Sequence, residues 1–159
     1  MRDVLIQKAA SLGISEVFMK TILDQAEKEY PKECCGVILR ATPNGDRLRP
    51  CRNAQDDYHA KDPENFLRTA KTAFWIDPKE LLILHKEMRE RRESIAVIYH
   101  SHPDAGAYFS GEDKKMALFE GKPVYPGVKH LVISVKSGKA DDFSLYYWDE
   151  KRGEFFLEG

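Results

Sequence analysis

A chain of 159 residues with 42% hydrophobic and 11% aromatic side chains is long enough for one core and apolar enough to fill it. Its 25 basic and 26 acidic side chains leave a net charge of −1, which gives no support to a phosphate-neutralising face for nucleic acid. No apolar run approaches the roughly 20 residues needed to span a bilayer, and "MRDVLIQKAASLG" at the start lacks a signal peptide's apolar segment and cleavage site, so the chain reads as soluble and cytoplasmic, with no membrane partner.

Residues 15–30, "SEVFMKTILDQAEKEY", place Val17, Met19, Ile22, Leu23, Ala26 and Tyr30 at roughly helical spacing, with Ser15 as N-cap and Pro31 as the stop. "CCGVILRA" (34–41) predicts a short buried strand, and "NGD" at 44–46 a turn that lets 47–53 pair back as a hairpin. Cys34, Cys35 and Cys51 are an odd count without a C-x-x-C pair. That excludes a thiolate zinc ribbon, is a poor disulfide framework, and reads as buried thiols in a reducing compartment. Residues 54–75 carry no clean period and read as a long, partly ordered insertion; long loops in compact domains are often functional. Asp77 as cap, Pro78 in the first turn and Glu80 completing a capping box open a helix over 77–93, whose end "EMRERRE" alternates in sign and predicts a solvated face.

"IAVIYH" (95–100) predicts a buried strand, and "SGEDKKMALFEG" (110–121) a short helix capped by Ser110 and stopped by Gly121. Residues 129–135, 143–149 and 153–158 read as strands, the last two joined by a tight turn. No repeat, low-complexity tract or boundary interrupts the chain. The expectation is a single α/β domain over residues 1–159, a mixed β-sheet flanked by helices.

The stretch "YHSHPDAGAYFSGED" (99–113) concentrates the chemistry. His100 and His102 lie two apart at a strand end, where alternate side chains face the same way, so both imidazoles can reach one ion. Asp113, eleven residues after His102, starts the next helix and can return as a third ligand. Two histidines and one carboxylate leave a fourth tetrahedral position open, as a catalytic zinc requires, although other divalent metals are compatible. Ser110 and Asp113 also form an ordinary S-x-x-D helix start. The metallo-β-lactamase pattern H-x-H-x-D-H fails at Ala105, and the zinc-deaminase pattern is absent.

H-S-H-P followed by S-x-x-D, with Glu33 upstream at the start of a strand, resembles the JAMM motif of the MPN-plus metalloprotease family. "PKECCGVILR", "FWIDPKELL" and "YPGVKHLVISV" are similar to its small stand-alone prokaryotic members, including Mec-type hydrolases acting on ubiquitin-like sulfur carriers. The resemblance implies an MPN fold with cytidine-deaminase-like layering and one Zn²⁺ per chain held by His100, His102 and Asp113. It implies Glu33 as the general base and Ser110 as the donor to the developing oxyanion. It implies hydrolysis of the amide after the C-terminal Gly-Gly of a ubiquitin-like or sulfur-carrier protein: release of a cysteine adduct, precursor processing or deconjugation. The insertion at 54–75 stands where the family holds an extended tail by strand addition. A homodimer is compatible with the resemblance. The rivals are a cell-wall peptidase like those in phage tails and a non-catalytic module that binds a partner's tail; the latter predicts a missing ligand or base, and none of the five positions is missing.

Overall fold

A computed structural model describes residues 1–159. Six strands form one mixed sheet in the order β2-β1-β3-β6-β7-β8, comprising β1 (Cys35–Ala41), β2 (Gly45–Cys51), β3 (Ser94–Pro103), β6 (Lys129–Lys136), β7 (Lys139–Asp149) and β8 (Glu154–Glu158). A separate two-stranded ribbon joins β4 (Leu118–Phe119) to β5 (Lys122–Pro123). Only β3 and β6 pair in parallel, with His100 opposite Val132 and His102 opposite Ser134. A parallel pair needs a long crossover, and this one carries α5 (Gly111–Ala117) and the ribbon across the sheet.

The helices cover both faces. On one side α1 (Arg2–Ser11) and α2 (Glu16–Glu29) bury Leu5, Ala9, Met19, Ile22 and Leu23 against Val97, Tyr99, Leu131, Ile133 and Phe143. On the other, α4 (Pro78–Arg91) seats Leu84 on Val37, Leu39 and Ile95. Beside it, Phe109, Val132 and Phe155 form a third cluster beneath α5. Alternation along β3 divides these roles: Val97 and Tyr99 enter the α1/α2 core, while Ile98 faces the α4 side and carries His100 and His102 with it. No helix is long and apolar enough to cross a membrane.

Several expectations shift. Residues 2–11 are helical although only Leu5 and Ala9 are buried there, too few positions to show a period. The insertion holds a seven-residue helix, α3 (Gln55–Lys61), with only Gln55 buried, again below what periodicity reveals. The helix expected over 110–121 ends at Ala117, and Glu120 and Gly121, both at positive φ, turn the ribbon instead. Ser137 and Gly138, also at positive φ, make a tight hairpin that starts β7 at Lys139 rather than at 143. Asp77 caps α4, accepting from Lys79 N at 2.8 Å, but Glu80 does not complete a capping box. It accepts from Arg49 Nη1 at 3.0 Å. Nor is the end of α4 simply solvated, because Glu87 meets Arg49, and Glu93, just beyond the helix, takes a bidentate pair of hydrogen bonds from Arg47 at 2.8 and 2.9 Å.

Gly36 is required where β1 crosses Tyr99. A Cβ there would lie 2.2 Å from the Tyr99 hydroxyl, which is buried and donates to Gln25 Oε1 at 2.6 Å. Gly36→Ala is expected to lower stability by about 2–3 kcal/mol through overpacking, measured as a fall in the urea midpoint at unchanged slope.

Candidate metal centre

Backbone pairing delivers the site residues to one place. Cys35 pairs with His100 across β1 and β3, so Glu33, just ahead of β1, arrives beside the end of β3. Ser101, between the two histidines and fully buried, fixes this approach: its hydroxyl accepts from Cys34 N at 2.8 Å and its N–H donates to Cys34 O at 3.1 Å. Three ligand-type atoms converge from β3 and α5. His100 Nε2 and His102 Nε2 are 3.1 Å apart, and Asp113 Oδ2 is 3.1 Å from each. A tetrahedral ion with bonds of about 2.0–2.1 Å separates its ligands by about 3.3 Å, so these three atoms already define one face of such a site.

Asp113 holds two roles at once. Its Oδ2 accepts from Ser110 N at 3.0 Å while Ser110 Oγ accepts from Asp113 N at 3.0 Å, a complete capping box at the start of α5. The ordinary helix start and the candidate ligand position therefore fall on the same residue. Ser110 Oγ uses only an acceptor site in the cap, leaving its proton free to donate. Burial pushes the Asp113 carboxyl up, but the hydrogen bonds from His100 and His102 outweigh it and hold the group well below the usual carboxylate range. His102 Nδ1 lies 3.0 Å from Gly106 O, a carbonyl that can hold the ring proton on Nδ1 when Nε2 gives its lone pair to an ion. Phe74 stacks on His100 at 4.7 Å, and burial lowers the pKa of that imidazole, favouring its neutral form.

Glu33 is 4% exposed, and its Oε1 has no hydrogen-bond partner. Burial, then the nearby Asp113 charge, pushes its carboxyl up to about 9, with Arg68 acting in the opposite direction. Glu33, His100 and His102 also offer atoms within 4.8 Å of one another, an alternative ligand triad. The set with Asp113 is the better one, because its atoms sit at the contact distance of ligands sharing an ion and its carboxylate is ionised, whereas Glu33 is held protonated. An ionised carboxylate and two histidine nitrogens converging at contact distance, beside an unpartnered buried carboxyl, fit a cation of zinc's size and charge.

The sequence does not single out the residues that hold the insertion against Glu33. Asn53 Nδ2 donates to Glu33 O at 2.9 Å and to Ala73 O at 3.0 Å, while its Oδ1 accepts from Gln55 N and Trp75 N at 3.0 and 3.1 Å. Glu33 N donates to Ala70 O at 2.7 Å. The only signal is an Asn at a predicted strand end, which any turn supplies. Asn53→Ala is expected to cost about 1–3 kcal/mol in stability, by stranding these backbone groups, which a thermal melt measures.

The remaining histidines lie outside the cluster. His59 Nδ1 lies 2.7 Å from Phe66 O and His85 Nε2 lies 3.0 Å from Tyr125 OH. His130 packs between Phe109 and Phe155, and burial, with His100 nearby, pushes its pKa down to about 4. Cys34, Cys35 and Cys51 are buried and free, and burial raises the Cys34 and Cys51 thiols to about 12 and Cys35 well above its ordinary value, which disfavours the thiolate that a nucleophile needs. Phe109 is buried in the third cluster, whereas Tyr108 is exposed with its ring 5.1 Å from that of His102.

A family model described as prokaryotic homologs of the JAB domain matches residues 15–146. Over 135 residues the chain is 31% identical to a CysO-cysteine peptidase of Mycobacterium tuberculosis, covering 85% of this chain and 81% of that protein. A shorter match, 32% identical over 93 residues, links 58% of this chain to 31% of the tail tip assembly protein K of Escherichia phage N15. The solved structure of a Desulfitobacterium hafniense protein superposes with a TM-score of 0.60 at 25% identity, over 88% of this chain and 84% of that one.

Proposed function

The chain belongs to the family of prokaryotic homologs of the JAB domain, and from that premise we propose that it is a cytoplasmic zinc metallopeptidase that cleaves the amide bond after the C-terminal Gly-Gly of a ubiquitin-like or sulfur-carrier protein. The observation that carries this reading is the convergence of His100, His102 and Asp113 at 3.1 Å spacings beside an unpartnered, buried Glu33. The identity with a peptidase named for CysO-cysteine supports an amide as the target bond.

His100, His102 and Asp113 would hold the ion. Zinc bound there supplies Lewis acidity towards the scissile carbonyl and brings a water's pKa towards about 7. Glu33 takes the proton from the attacking water and returns it to the departing amine. A cation beside Glu33 favours its carboxylate form, which converts the protonated side chain of the metal-free protein into a base. Ser110 directs its free proton at the oxygen that gains charge as the carbonyl becomes tetrahedral. Phe74, half-buried and stacked on the buried His100, covers that flank of the imidazole.

The test is incubation of the zinc-loaded protein with carrier–Gly-Gly adducts of amino acids and proteins, read as intact masses. Cleavage immediately after Gly-Gly, lost with a chelator and restored by zinc, is the expected result. A zinc-loaded protein that leaves every adduct intact would remove the peptidase reading and favour a module that only binds the tail.

A further inference from the structure

Two depressions meet at Asp113 and differ in chemistry. One, of about 360 Å³, runs between the insertion and α5 and is lined in part by Asn65, Arg68, Thr72 and Glu112. The other, of about 270 Å³, reaches towards the sheet between α4 and the ribbon, and ten of its thirteen lining residues are hydrophobic, Leu81, Ile98, Phe109 and Tyr125 among them. Its polar lining is limited to His100, Asp113 and His130, and it contains no lysine, arginine or glutamate.

The reading of a Gly-Gly acyl side, on which this inference rests, divides the two. Glycines have no side chain to fill an apolar cavity; they give close backbone approach and main-chain hydrogen bonds, which the groove along the insertion serves. The apolar cavity shares His100 and Asp113 with the metal cluster, so it opens at the reacting amide. Its occupant is then the first residue on the amine side, the nearest one that carries a side chain. The cavity exceeds the roughly 150 Å³ that admits a benzene ring. An ammonium group would enter it without a free counter-charge, because the Asp113 carboxylate is already engaged by both histidines and the α5 cap. We propose that this cavity selects a large hydrophobic side chain, Phe, Leu or Met, at the residue following Gly-Gly, in preference to Cys, Ser or Lys.

The test uses the zinc-loaded full chain and carrier–Gly-Gly–X adducts with X as Phe, Leu, Met, Cys, Ser or Lys, compared by kcat/KM. A preference for Phe or Leu over Cys of at least about tenfold is expected from the apolar area buried. Ala117→Leu, which narrows the cavity, is expected to reduce the Phe-to-Cys ratio at least about fivefold; if that variant does not fold, the wild-type ratio decides alone. Equal or better cleavage of the Cys, Ser or Lys adduct overturns the selectivity while leaving cleavage after Gly-Gly intact. Failure to cut any adduct removes both readings together.

Discussion

Glu33→Gln is expected to lose activity and gain stability at once. Loss of the acid/base group lowers kcat by about 10²–10⁴. The stability gain follows from the carboxyl's folded-state pKa near 9 against an ordinary 4.5. Below pH 4.5 the group is protonated in both states and costs nothing. Between pH 4.5 and 9 the unfolded chain ionises and the metal-free folded chain does not, so native stability declines as pH rises through this window. Gln, uncharged throughout, removes that decline. At pH 7.5 the metal-free variant is therefore more stable than wild type by on the order of 2–4 kcal/mol, with the two converging near pH 4. Urea melts of both proteins across this range, in chelator, measure it. Equal stability at pH 7.5 would mean that Glu33 is not held protonated in the folded protein.

Asp113→Asn is expected to abolish zinc binding and activity without unfolding the chain. Asn keeps an acceptor for Ser110 N, so the cap of α5 survives, but the charge that a divalent ion requires is lost. Zinc affinity falls by more than about 10²-fold, beyond what loss of a supporting contact produces, and kcat falls to the level of metal-free wild type. Competition titration against a chromophoric chelator gives the affinity, and circular dichroism gives the fold. Retained affinity would shift the ligand role to Glu33, which also lies within reach of both histidines.

The core and the site differed in how far they could be read from residues. The α2 helix, the β1 and β3 strands and the mixed sheet were visible because burial on one or both faces writes a period or an apolar run into the sequence. His100, His102 and Asp113 were visible because strand alternation and a capping motif constrain where their side chains go. The elements that escaped are those with little burial of their own: α1 with two buried positions, α3 with one, and the turns at Ser137–Gly138 and Glu120–Gly121, set by positive φ rather than by hydrophobicity. Glu80 shows the other limit. Its local signal favoured a capping box, but Arg49 on β2, 31 positions away, took the carboxylate instead. Asn53 and Ser101 were illegible for the same reason, since each acts through backbone partners distant in sequence.

The most direct test of the account is anomalous diffraction at the zinc edge from crystals of the zinc-soaked protein. The account predicts one peak per chain, about 2.0–2.2 Å from His100 Nε2, His102 Nε2 and Asp113 Oδ2, with Glu33 outside bonding distance. A peak bonded to Glu33 in place of Asp113, or no peak at this cluster at full zinc occupancy in solution, would contradict it.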